Sequence, residues 1–147
     1  MGKLKFHEKK GVGFHANRTG RLMAKHLSNV FMAEGVALNG DQLPILLHLW
    51  MKDGQNQQDI ADVIFRDKAT IARHIHHLEK ENLVVRIPDE NDKRNKKIYL
   101  TNKGKELESR VMPMAFQLKE KALEGIDPKE IDICNKVLET IYDNLNK

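Results

Sequence analysis

Apolar positions along this chain change their period several times, and each change marks an element. Between 14 and 35, Leu22, Met23, Leu27, Val30 and Phe31 fall on one side of a helical projection and Arg18, Arg21 and Lys25 on the other. That is an amphipathic helix. Gly40 and Asp41 interrupt it. From about Gln42 to Lys52 the pattern turns apolar nearly all round, through Leu43, Ile45, Leu46, Leu47, Leu49, Trp50 and Met51. Such a helix belongs inside a fold, and Pro44 suits its first turn.

Gly54 closes that segment, and Asn56 is placed to cap the next helix, with Gln57, Gln58 and Asp59 in its first turn. Ile60, Ala61, Val63 and Ile64 supply its buried face, and Phe65 and Arg66 form the corner. Asp67 caps a further helix in which Ile71, Ile75 and Leu78 recur at i, i+4 and i+7. The opposite stripe, Ala69, Arg73, His76 and Lys80, flanked by Lys68, Thr70 and His77, must face outward. Asn82 stands where a left-handed residue ends the helix.

Residues 83–87 and 97–100 read as antiparallel strands around a loop, 88–96, with nothing apolar to bury after Pro88. Thr101 caps a long helix carrying Leu107, Val111, Ala115, Leu118 and Ala122, with Pro113 in its middle as an expected kink. Gly125 ends it. Asp127 and Pro128 begin a last helix whose apolar residues Ile131, Cys134, Leu138, Ile141 and Leu145 step by 3, 4, 3, 4, a coiled-coil-like seam. That seam either packs within the chain or forms a dimer interface.

The fold class expected is mainly α with a small two- or three-stranded β-wing: a winged helix-turn-helix flanked by N- and C-terminal dimerisation helices. Its parts are an N-terminal arm and helix (1–40), the winged core (41–104) and the C-terminal helices (105–147), together one compact domain. The 147 residues suffice for a single core. No run of 18 apolar residues marks a membrane span, no signal peptide is apparent, and Phe6 occupies the position where a myristoylation pattern wants Ser or Thr. The single cysteine fits a reducing cytoplasm.

Net charge is a modest +4, but it is polarised: 66–105 carries 11 basic and 6 acidic side chains, and 106–147 carries 6 basic and 9 acidic. A cationic lobe containing a helix-turn-helix and a wing points to double-stranded DNA. The residues expected to meet it are Gln57, Lys68, Ala69, Thr70, Arg73, His74 and His77, with Lys93, Arg94 and Lys96 from the wing. Arg73 can bond guanine O6 and N7, Thr70 can meet a thymine methyl, and Ala69 lets the backbone approach. Arg94, with Asp92 to orient it, suits a narrow minor groove.

The run from Gln57 to Gly104 resembles the MarR family of bacterial transcription regulators. The resemblance rests on Asp67-Lys68-Ala69-Thr70-Ile71-Ala72-Arg73, on 78–84, on Pro88-Asp89, on Asp92-Lys93-Arg94 and on 100–104, in phase without a gap. Two positions depart from the family's pattern: Phe65 replaces a small turn residue, either tilting the recognition helix or filling a larger core, and Asn82 replaces Gly. The resemblance implies a homodimer joined through the terminal helices, which favours the interface reading of the seam. A two-fold dimer sets two recognition helices roughly 34–36 Å apart, hence an inverted-repeat operator. It further implies repression, relieved by a small aromatic or anionic effector bound between the dimer helices and the DNA-binding lobe. His15, Arg18, His48, Trp50, Met112 and Met114 are the candidate lining.

The remaining chemistry reads plainly. Seven histidines do not form a zinc-site spacing, so no metal and no cofactor is expected, and Cys134 reads as a structural thiol. No phosphate loop, nucleophile elbow or metalloprotease motif appears, so an enzyme is not expected. The alternatives are a winged-helix protein-assembly module and a metal- or redox-responsive regulator. Effector release is expected to shift the population of lobe spacings, with the hinge near Pro113 and 100–104.

Overall fold

The structure is a computed structural model that describes residues 10–147; residues 1–9, with Phe6 and the start of the N-terminal arm, lie outside the described residues. Its elements in chain order are α1 (Val12–Ala33), α2 (Leu43–Met51), β1 (Gln55–Asn56), α3 (Gln57–Ile64), α4 (Lys68–Lys80), β2 (Val84–Pro88), β3 (Lys96–Leu100), α5 (Asn102–Ala122) and α6 (Pro128–Leu145). The chain groups into two compact units, one ending at Ala115 and one from Phe116 to Lys147. Helix α5 continues through Pro113 as one element.

The first unit is built on α2. Phe31, Ile45, Leu46, Leu49, Ile60, Ile71, Ile75, Leu78, Val84, Ile98 and Val111 are fully buried, so every helix and both long strands of the unit send a side chain inward. The start of α2 is set by a reciprocal pair not evident from periodicity. Asn39 N–H donates to Gln42 Oε1 and Gln42 N–H to Asn39 Oδ1, each at 3.1 Å, a capping-box arrangement. Gln42 is correspondingly buried.

The sheet has three strands in the order β1-β3-β2, all antiparallel. The third strand, β1, is two residues long and doubles as the cap of α3. Gln55 pairs with Ile98 and Asn56 with Lys97, while Asn56 Oδ1 accepts the Gln58 N–H at 2.8 Å. The two long strands pair from Val84–Leu100 to Pro88–Lys96. Ladder pairing thus includes Pro88 and Lys96, which shortens the expected loop by one residue at each end.

Two left-handed residues close the helix-turn-helix. Asn82 has φ 58° and passes the chain into β2, with Leu83 N–H donating to Leu78 O at 2.9 Å. Phe65 has φ 56° as the C-cap of α3. A non-glycine residue there carries a steric cost, and Phe65 is 70% exposed, so it does not fill a larger core. Val63, expected on the buried face of α3, is also exposed; eight residues give α3 only a narrow inner stripe, which Ile60 and Ala61 occupy.

The junction at 100–104, expected as a hinge, is braced. Leu100 N–H donates to Asp53 Oδ1 at 2.8 Å and Thr101 N–H to Leu83 O at 3.0 Å. Thr101 Oγ1 donates to Asn82 O and accepts the Gly104 N–H, which is the expected cap of α5. Trp50 Nε1 donates to Gly104 O at 2.9 Å. Gly104 itself permits the approach, because a Cβ there would collide with the carbonyl oxygen of Leu83.

In the second unit α6 begins on Asp127, whose side chain accepts the Lys129 N–H, with Pro128 at its first position. None of its residues is buried.

Candidate nucleic-acid interface

Helix α4 is presented by its cap. Asp67 accepts the Thr70 N–H at 2.8 Å through Oδ1 and the Thr70 hydroxyl at 2.7 Å through Oδ2. These bonds from Thr70 hold the Asp67 carboxyl below its ordinary value. The hydroxyl proton of Thr70 is therefore committed. What the side chain keeps for a base edge is its methyl group and an acceptor lone pair.

Lys68, Ala69 and Arg73 are exposed on the same helix. The two histidines of the expected set have neighbours inside the chain. A ring nitrogen of His77 lies 3.2 Å from Ala37 O. His74 is half-buried, and burial lowers its pKa against the opposing pull of Asp41. Separated by three residues, they share the flank of α4 that meets the 37–41 segment.

The wing tip is a folded turn. Asp89 N–H donates to Asn95 O at 2.9 Å and Asn95 N–H to Asp92 O at 3.0 Å. Asp92 Oδ1 accepts the backbone N–H of Arg94 at 3.0 Å. The contact of Asp92 with Arg94 is thus to the main chain, and it shapes the turn that carries Arg94. Lys93, Arg94 and Lys96 are exposed.

Between the start of α3, the start of α4 and the wing lies a cavity of about 300 Å³ whose walls include Gln57, Lys68, Ile71, Arg94, Asn95 and Lys96. It brings together four of the expected DNA-facing residues from three separate elements. The side-chain oxygen of Gln57 is buried without a hydrogen-bond partner. Sequence reading places each residue on its element but does not reveal this void.

The six expected effector residues fall into two groups. His15 and Arg18 are exposed on α1 around Phe14, with the ring of His15 edge-on at 5.5 Å and the Arg18 guanidinium 4.8 Å above the Phe14 ring. Trp50 and Met114 pack on the core, and His48 and Met112 are half-buried. A second cavity, about 390 Å³, has Asn17, Arg21, Asp41, Phe65 and Arg66 in its walls, with Arg66 and Asp41 3.7 Å apart. Cys134 is exposed. Among the described residues no three His, Cys, Asp or Glu side chains gather as a metal would require, and no helix is long and apolar enough to cross a membrane.

Comparison with known proteins agrees with this geometry. The MarR family profile matches residues 38–96. An uncharacterised HTH-type transcriptional regulator, YybA of Bacillus subtilis, is 28% identical over 110 residues, 75% of this chain and 73% of that protein. A MarR transcriptional regulator from Methanosarcina mazei is 29% identical with a TM-score of 0.79, covering 90% of this chain and 94% of its own. Two further structures, each 23% identical, share the fold. One is a putative MarR family regulator from Listeria monocytogenes complexed with 26mer DNA (TM-score 0.81, covering 93% of this chain and 90% of that one). The other is CouR from Rhodococcus jostii bound to p-coumaroyl-CoA (TM-score 0.77, covering 90% and 91%). Residues 38–96, the winged core, thus match the MarR family, and the helix order beyond that core is shared with a MarR transcriptional regulator of known structure.

Proposed function

We propose that this regulator acts in the cytoplasm as a homodimer on an inverted-repeat operator. The first turns of two α4 helices enter successive major grooves, and Arg94 of each wing enters the flanking minor groove. The observation that carries this reading is the exposure, within one unit, of Lys68, Ala69 and Arg73 beside the cationic wing of Lys93, Arg94 and Lys96. Arg73 reads a base, and Lys93 supplies the salt-dependent attraction to the backbone.

Dimerisation through the terminal helices is supported by what each leaves uncovered. Helix α1 exposes Val12, Phe14, Leu22 and Met32, and α6 exposes Ile133, Leu138 and Leu145, the last at 82%. Burying a large apolar side chain fully contributes about 1.5–3 kcal/mol. A second copy that covers even a few of them offsets much of the cost of association.

Repression, and its release by a small aromatic or anionic effector, is the regulatory part of the proposal. Its support is the ligand-bound structure of a protein with the same fold and the half-buried His48, Trp50, Met112 and Met114. Such a ligand acts by its differential affinity for lobe spacings, not by its affinity overall.

The test is selection of bound duplexes from a random library, with salt titration of the winner against scrambled DNA and sedimentation of the complex. An inverted repeat preferred by about 10³-fold or more, bound by two copies, is the expected result. Binding indifferent to sequence would instead assign the fold to protein assembly.

A further inference from the structure

In a duplex the sugar-phosphate backbone is the wall between a major groove and the neighbouring minor groove. A protein with one element in each groove must therefore have a strand crossing the gap between them. In this chain the gap between the start of α4 and the wing is the cavity of about 300 Å³. Lys68 enters it from the first residue of α4 and Lys96 from the first of β3, Arg94 is a third cation, and no carboxylate is among its lining residues. Like charges grouped around one void repel each other, and an anion between them reverses the sign of that energy. Gln57 is also a lining residue, and its side-chain oxygen is buried without a hydrogen-bond partner, an acceptor that a lysine ammonium drawn inward by an anion can satisfy.

We infer that this cavity seats one backbone phosphate in each half-site. Lys68 and Lys96 bond its oxygens, and Gln57 is a positioning residue that orients the ammonium. The inference rests on the DNA-binding reading above and changes the work assigned to three residues. Lys68, Lys96 and Gln57 set the register of the strand between recognition helix and wing, and base reading is left to Arg73 with Ala69 and Thr70.

The experiment uses the full chain and the duplex recovered by selection, with phosphates replaced one at a time by neutral methylphosphonates. Wild type, K68Q, K96Q, the K68Q/K96Q double variant and Q57L are compared, with circular dichroism to confirm folding. One position per half-site should weaken wild type on the order of tenfold, weaken K68Q or K96Q less because one of its two lysine contacts is already gone, and weaken the K68Q/K96Q double variant hardly at all. Each lysine variant should lose affinity alike on selected and scrambled duplex and lower the salt slope by about one unit per half-site. Q57L should reduce the sensitivity at that position while leaving base preference unchanged. Methylphosphonate losses that simply add to those of the variants would overturn the inference while leaving the DNA-binding reading intact; so would a changed base preference in K68Q. If the wild-type chain selects no duplex, both fall together. Inorganic phosphate titrated into DNA-free protein separates a strand from a free anion: heat that disappears in K68Q, with no sensitive duplex position, would assign the cavity to a small anion and overturn the proposal.

Discussion

Arg86 on β2 grips Glu79 on α4: its Nε donates to Glu79 Oε1 at 2.6 Å, and its Nη2 lies 2.6 Å from the same oxygen. Both side chains are about one-third exposed, so the pair is neither a fully screened surface bridge nor a costly buried one. Its mechanical effect is to couple the wing to the helix that lies beside it. Under the proposed DNA-binding mode, this contact would limit the angle at which β2 and β3 present Arg94 relative to α4.

Removing that grip should loosen the wing without unfolding the core. Arg86→Ala is expected to cost about 1–2 kcal/mol, a hydrogen bond to a charged group reduced by solvent screening at partial exposure. Glu79→Gln should cost less, because the amide oxygen still accepts. Urea unfolding of both single variants and the double variant measures the coupling. Single-variant losses that add without an interaction energy would show that the two side chains work independently.

Arg73 is expected to read a base. Arg73→Ala should weaken the selected duplex by roughly 1–3 kcal/mol and relax preference at a single base pair per half-site. Repeating the duplex selection with the variant reads this directly. Equal losses on every sequence would make Arg73 a phosphate ligand and move base readout elsewhere on α4.

Where the sequence was legible, the reason is local. Asn56 and Asp67 cap the helices they precede in the chain, and Asn82 takes the left-handed turn; each depends on the residue and its immediate neighbours. The stripe of Ile71, Ile75 and Leu78 fixes which face of α4 is buried. What stayed hidden depends on residues far apart in the chain. Strand β1 is too short to show alternation and exists only because β3 pairs with it. The bond from Leu100 to Asp53 spans 47 residues, and that from Trp50 to Gly104 spans 54. His77 reads as a groove residue by period, yet its partner is a backbone carbonyl 40 positions earlier. Phe65 looks like core by composition and is exposed, because a left-handed cap turns its side chain away from the stripe of α3.

The Asp67 cap carries a pH dependence with a definite sign. Bonds from Thr70 lower the carboxyl below its ordinary value of 3.8, so the folded state binds a proton less readily than the unfolded chain. The stabilisation is present above the unfolded value and is lost as pH falls through the lowered folded one. Asp67→Asn keeps an acceptor for the Thr70 N–H but has no carboxyl to titrate. Its unfolding midpoint should lack this acid-limb contribution, while Asp67→Ala should be less stable at neutral pH too. An unchanged acid limb in Asp67→Asn would mean that other carboxylates set it.

Two glycine-to-alanine changes should move stability in opposite directions. Gly20 lies within α1, and a Cβ there meets nothing within 4 Å. Gly20→Ala removes glycine's backbone-entropy penalty and should stabilise by up to about 1 kcal/mol. Gly104 sits near the start of α5 and would gain the same helix propensity. Its Cβ, however, would collide with the carbonyl oxygen of Leu83, whose lone pairs already accept the Thr101 N–H, and would press on Leu100 Cδ2 at 3.3 Å. That obstacle is backbone, so it yields only if α5 moves away from the 83–84 end of β2. Overpacking of this kind costs about 1–3 kcal/mol or more, which outweighs the propensity gain. Gly104→Ala should also strain the Trp50 to Gly104 bond, so indole fluorescence reports the shift at this junction. Thermal unfolding of the two variants side by side decides the matter: if Gly104→Ala matched or exceeded wild type, the close approach of α5 to Leu83 would not be what holds this corner together.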